Sequence, residues 1–148
     1  MILLDTHILL WMASDPKRLS TKARAAIRLA RLNTGVAVAT ITLWELAWLA
    51  HNGRVQVLSS VESFVRETVA RVILKHVTPE IAALAVRLPA TYPKDPADRL
   101  IGATAVVEGM KHGRPAGSPR QRSRDHPVSV AEYWVPSTKY SFRLRYNC

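Results

Sequence analysis

Two short runs that are apolar at every position constrain this chain most: Met1-Ile2-Leu3-Leu4 and Val36-Ala37-Val38-Ala39. A strand with one wet face alternates apolar and polar residues, whereas a strand covered on both faces is apolar throughout. Val72-Ile73-Leu74 is a third such run. Between the runs the pattern is helical. Ser20 is placed to cap a helix through Leu32, with Ala23, Ile27 and Ala30 on one face, ended by Asn33-Thr34-Gly35. Thr40 opens a helix that Asn52-Gly53 stops, and Ser59-Ser60-Val61-Glu62 has the spacing of a capping box for the next. Thr78-Pro79-Glu80 starts another, with Ile81, Leu84, Ala85 and Leu88 facing inward, and Pro89 breaks it. A last helix runs from Asp95-Pro96 through Val107 and ends at Gly109. Strands alternating with helices predict an α/β fold: a parallel sheet sandwiched by helices.

With 148 residues there is enough chain for one domain with a real core. The apolar share, 48%, fits a soluble protein, and no apolar stretch approaches a membrane span or resembles a signal peptide. Cys148 is the only cysteine, so no disulfide forms within the chain. A cytoplasmic protein with no membrane association is the expectation. The net charge is +10, which favours polyanions, nucleic acid first. Simple solubility is the competing reading of that charge.

Carboxylates at the strand ends point to chemistry. Asp5 follows the first apolar run, at the carboxyl edge of its strand, where open α/β sheets bind their ligands. Glu45 is the only acid between Asp15 and Glu62, and it lies among Leu43, Trp44, Leu46, Ala47, Trp48 and Leu49. It follows the second strand by one to two helical turns and so can lean over the same edge; an exposed helical Glu is the other reading. Asp95 and Asp98 flank Pro96-Ala97 as cap and first-turn acid, a strong helix-start signal in its own right. Arg99 follows, placed to offset charge or to hold Asp98. Three carboxylates from three segments at one edge need cations between them. Hard oxygen ligands select Mg²⁺ or Mn²⁺, a site suited to phosphodiester hydrolysis. The basic surface supplies the reason for a nucleic-acid substrate.

Met1-Ile2-Leu3-Leu4-Asp5-Thr6-His7, Leu43-Trp44-Glu45 and Asp95-Pro96-Ala97-Asp98-Arg99-Leu100-Ile101, in this order and spacing, resemble a PIN-domain ribonuclease, the VapC-type toxin of type II toxin–antitoxin systems. The resemblance spans residues 1–110. It implies a parallel sheet between helices and an acidic site that cleaves RNA with Mg²⁺, Mn²⁺ being the alternative ion. It further implies a homodimer and neutralisation by a cognate antitoxin protein. Carried over by position, Asp5, Glu45 and Asp98 correspond to three of the family's four acids, as catalytic residues and metal ligands. Asp95 belongs to the same motif and is the weaker ligand candidate, better suited to capping.

After Met110 the chain departs from that pattern. The family continues with a buried strand and a Thr-x-Asp-like segment bearing the fourth acid. Here Lys111-His112-Gly113-Arg114-Pro115-Ala116-Gly117 stands instead, with no acid and no expected strand. Residues 1–110 hold 13 Lys/Arg against 9 Asp/Glu, a net of +4, and residues 111–148 hold 8 against 2, a net of +6. The second segment has no isoleucine, one leucine and four of the nine prolines. A nuclease unit over residues 1–110 and a basic Pro/Arg-rich tail over 111–148 are therefore expected, with residues 111–127 poorly ordered and Val128-Ser129-Val130 as a candidate replacement strand. Asp125 aligns with no acid of the family. His112 and His126 are open to metal binding or are simply solvated. Tyr133, Trp134, Tyr140, Phe142 and Tyr146, the last three interleaved with Arg143 and Arg145, offer stacking surfaces for RNA bases. A reading-frame shift near codon 111 would equally produce such a composition. The code permits a Val across Gly113–Arg114 and an Asp across Gly117–Ser118 in the neighbouring frame.

Competing classes fit less well. A phosphatase with an Asp nucleophile wants a second Asp where His7 stands, and a dinucleotide-binding enzyme wants a glycine-rich turn after the first strand. A catalytically impaired PIN-like module, binding antitoxin or RNA without turnover, is the alternative function.

Overall fold

The computed structural model describes residues 1–112. They form four parallel strands in the order β3-β2-β1-β4: β1 Ile2–Leu3, β2 Val36–Ala39, β3 Ile73–Lys75 and β4 Lys111–His112. The helices are α1 Thr6–Ser14, α2 Thr21–Asn33, α3 Ile41–His51, α4 Val61–Val69, α5 Pro79–Arg87 and α6 Pro96–Val107. Among the described residues no helix is long and apolar enough to cross a membrane.

Alternation along the strands divides the core in two. Leu4, Val36 and Val38 face one way, into a cluster with Leu9, Leu10 and Trp11 of α1, Ala23 and Ile27 of α2 and Leu46 of α3; Phe64, Val65 and Val69 of α4 close it from outside. Leu3, Ala37 and Ala39 face the other way, against Ile101 and Ala105 of α6. The two alanines of β2 are small, which lets α6 lie close to the sheet. Ala103 continues outward to Ile81 and Ala85 of α5, the third layer. The buried face of α5 is the expected one.

The helix starts follow local chemistry. Ser20, Ser60, Thr78 and Asp95 each accept a backbone N–H from the first turn of α2, α4, α5 and α6. The cap of α4 is Ser60, bonded to Ser63, one residue later than the capping-box spacing suggested; Glu62 pairs along the helix with Arg66 instead. Gly35 links α2 to β2 with φ +89, and its N–H bonds back to Ala30 O at 2.6 Å, a helix end that needs a residue without a Cβ.

The main correction lies at the end of this unit. Lys111 and His112, expected to hold no strand, pair with β1 in the register Ile2↔Lys111 and Leu3↔His112. The ladder therefore continues past the boundary read at Met110. Nothing apolar marks the pair as a strand. Its placement follows from α6, which packs under β1 and β2 and delivers the chain beside β1, where backbone pairing needs no particular side chain. The readings of residues 113–127 as poorly ordered, of Val128-Ser129-Val130 as a strand, and of Asp125, His126 and the aromatic tail as functional lie outside the described residues.

Candidate active site

The chain moves from β1 to β2 on one side and returns to β4 on the other, so the strand order reverses at β1. A crevice outside the carboxyl ends of the strands forms at such a switch point. Asp5 is the second residue beyond β1 and also the N-cap of α1, a role its sequence position did not advertise. Its Oδ1 accepts the His7 backbone N–H at 2.8 Å and lies 3.4 Å from His7 Nδ1. Asp98 sits in the first turn of α6, above the cap made by Asp95. Asp95 Oδ1 accepts the N–H groups of Ala97 at 2.9 Å and Asp98 at 3.2 Å, so Asp95 spends this oxygen on the helix end. The positive ends of the α1 and α6 dipoles favour acids at both places.

Glu45 is half-buried on α3, and Thr6 Oγ1 donates to its Oε2 at 2.6 Å. It is not a solvent-facing helical Glu. Burial raises its pKa above the ordinary carboxylate value; the Thr6 hydrogen bond and the His7 charge oppose the rise, and the charges of Asp5 and Asp98 add to it. His7 is shifted upward too, first by its hydrogen bond to Asp5, then by the charges of Asp5, Glu45 and Asp98, against the cost of burial. Its side chain is 56% exposed, so water screens much of this. These mutual effects bring Asp5, Glu45, Asp98 and His7 into one electrostatic neighbourhood. Among the described residues, no three His, Cys, Asp or Glu side chains as placed form a group able to hold a metal ion.

Arg99 departs from its expected role. It does not offset the acids. Nε donates to Ala85 O at 2.9 Å, Nη1 to Pro93 O at 3.2 Å and Nη2 to Leu88 O at 2.5 Å, clamping the end of α5 and the loop that leads to Asp95. Among the described residues, His7, when protonated, is the one positively charged group that lowers the Glu45 pKa. The oxygen donors of Asp5, Glu45 and Asp98 are hard, the donor type that Mg²⁺ and Mn²⁺ take. Sequence reasoning missed Thr6 and Thr42, whose side chains are buried at this spot. Their only signal was proximity, one residue after Asp5 and three before Glu45, and a buried threonine reads as core filler.

Residues 2–112 match the PIN domain. The chain is 42% identical over 129 residues to Ribonuclease VapC22 of Mycobacterium tuberculosis, covering 87% of this chain and 95% of that protein. Two solved structures share the fold. One is a toxin–antitoxin complex from Klebsiella pneumoniae, with TM-score 0.55 and 22% identity over 76% of this chain and 83% of that one. The other is VapBC2 from Rickettsia felis bound to a promoter DNA fragment, with TM-score 0.57 and 18% identity over 76% and 86%. The parallel sheet, the matched span and the relative of nearly equal length make one case: the chain belongs to the PIN-domain family and is a relative of the VapC ribonucleases.

Proposed function

We propose that this protein is a divalent-metal-dependent endoribonuclease that hydrolyses RNA phosphodiester bonds as the toxin of a toxin–antitoxin pair. The observation that carries the reading is the placement of three acids from three segments: Asp5 just beyond β1, Glu45 hydrogen-bonded to the adjoining Thr6, and Asp98 in the first turn of α6, near enough for its charge to raise the pKa of Glu45 and His7. Asp5, Glu45 and Asp98 are the ligand set and catalytic acids, and Asp95 serves them by capping α6. Mg²⁺ is the expected ion, with Mn²⁺ as substitute. When bound, it supplies charge neutralisation for the phosphate and lowers the pKa of a bound water.

The protein's own part is to hold the three carboxylates at one edge, to keep Glu45 oriented from behind and to draw RNA in. The net +10 serves the last task, and more than half of it comes from residues 111–148. A cognate antitoxin, a homodimeric assembly and a cytoplasmic setting complete the reading. They rest on the VapC relative, on the toxin–antitoxin complexes among the structural neighbours, and on the resemblance itself. A second reading, binding of RNA or antitoxin with weak or no turnover, is favoured by one observation: Lys111–Gly117 carries no acid where the family has its fourth.

Purified protein incubated with RNA and Mg²⁺ or Mn²⁺ decides between them. Cleavage should require the metal and should vanish in Asp5→Asn, whose shape is kept while its charge is lost. Full activity in that variant, or in excess chelator, refutes the mechanism. RNA binding without cleavage in the wild type supports the second reading.

A further inference from the structure

Beyond the first turn of their helices, three hydroxyls bond to the carbonyl one turn back: Ser14 to Leu10 O at 2.8 Å, Thr68 to Phe64 O at 2.7 Å and Thr104 to Leu100 O at 2.8 Å. Thr6 and Thr42 have no such carbonyl to use. Both occupy the first turn of a helix that begins within three residues of a strand's end, so the residue four back is Ile2 in β1 or Val38 in β2. Both are sealed from water, at 1% and 0% exposure. Their hydroxyls turn across the interface between α1 and α3. Thr6 Oγ1 lies 2.6 Å from Glu45 Oε2 and 3.2 Å from Thr42 Oγ1. A hydroxyl has one hydrogen, and a carboxylate oxygen only accepts. Thr6 therefore gives its hydrogen to Glu45, and Thr42 is the donor in the bond between the two threonines.

We propose that Thr6, backed by Thr42, is a positioning residue that sets the metal affinity of the site by fixing one oxygen of Glu45. The inference rests on Glu45 being a metal ligand, as the proposed function holds. A glutamate side chain loses rotamer freedom when it ligates an ion, and a buried tether removes part of that loss in advance. With Oε2 tied to α1, Oε1 is the oxygen that the Thr6 bond leaves for a cation. The relay also couples Glu45 to the helix that Asp5 caps, so two ligands from segments 40 residues apart share one rigid support.

Mn²⁺ binding to the full chain, measured by titration calorimetry alongside Mn²⁺-dependent RNA cleavage, tests this. Thr6→Val keeps the shape and removes the hydroxyl; it should weaken Mn²⁺ binding about 10–100-fold, while Thr6→Ser stays within about threefold of wild type. Cleavage by Thr6→Val should recover as Mn²⁺ is raised. In a Glu45→Gln background, Thr6→Val should add little further loss. A folded Thr6→Val with wild-type Mn²⁺ affinity, or full additivity with Glu45→Gln, overturns the inference. Should Thr6→Val fail to fold, Thr42→Val carries the test: a several-fold loss of affinity supports the relay and an unchanged one overturns it. A wild type that neither binds Mn²⁺ nor cuts RNA overturns the nuclease reading together with this inference, whereas wild-type behaviour in Thr6→Val overturns the inference alone.

Discussion

Replacing Arg99 by Met should destabilise the domain and loosen the approach to the acid cluster, although Arg99 touches none of the acids through the bonds described. Its guanidinium makes three good hydrogen bonds, to Ala85 O, Leu88 O and Pro93 O, and a longer one to Val86 O at 3.5 Å. Three of these carbonyls end α5, among the last-turn groups that a helix leaves without partners. A hydrogen bond to a charged group contributes about 1.5–3 kcal/mol when well buried. Arg99 is half-buried, and water reaches some of the freed carbonyls. Halving the contribution for that screening leaves about 2–4 kcal/mol for the three bonds. For a domain of this size that is a fall in Tm of roughly 10 °C. Arg99→Lys keeps the charge but loses the planar fork, and should recover only about a third of the loss. Thermal unfolding by circular dichroism gives the magnitude. Hydrogen exchange gives the location, with faster exchange expected at the end of α5 and in residues 88–95. Arg99→Met within about 2 °C of wild type, or full rescue by lysine, refutes the clamp.

Two further outcomes follow from the packing and the charges. Gly102 lies under Tyr92, whose Oη is 1.8 Å from where a Cβ would stand and whose ring carbon Cζ is 2.5 Å away. Gly102→Ala should gain about 1 kcal/mol of helix propensity but drive the half-buried ring out, for a net loss of about 1–2 kcal/mol. In a Tyr92→Ala background the same change should become stabilising, and urea unfolding that shows no such reversal of sign contradicts the packing account. For Glu45, the folded chain holds its proton to higher pH than the unfolded chain does. In metal-free buffer, stability should therefore fall as pH rises from near 4.5 through the raised folded value, the window in which the native state binds more protons. Glu45→Gln should flatten that slope and be at least as stable as wild type at pH 7, and an unchanged slope in urea titrations refutes the assignment.

Much of this protein was legible in its sequence because the relevant signals are local. An apolar run without alternation specifies a strand covered on both faces, so β1, β2 and the layered α/β plan could be read from short windows. Ser20, Thr78 and Asp95 mark helix starts because a side-chain oxygen satisfies an N–H two or three residues on, within the same window. The three acids stood out in the sequence for a related reason, since a carboxylate at a strand end, or alone in an apolar helix, is costly unless it has work to do; their role as ligands belongs to the proposed function.

Tertiary structure decided whatever depends on which segment meets which. Lys111–His112 pairs with β1 because α6 brings it there, and a backbone ladder leaves no trace in side-chain composition. Arg99 stands beside Asp98 in sequence, yet its long side chain spans to carbonyls 11 and 14 residues earlier, where a helix end offers more acceptors than one carboxylate. Thr6 and Thr42 look like ordinary small residues until two strand-to-helix junctions pack together. Only then do both hydroxyls lose water at once and find Glu45, 39 residues from Thr6, as the acceptor within reach.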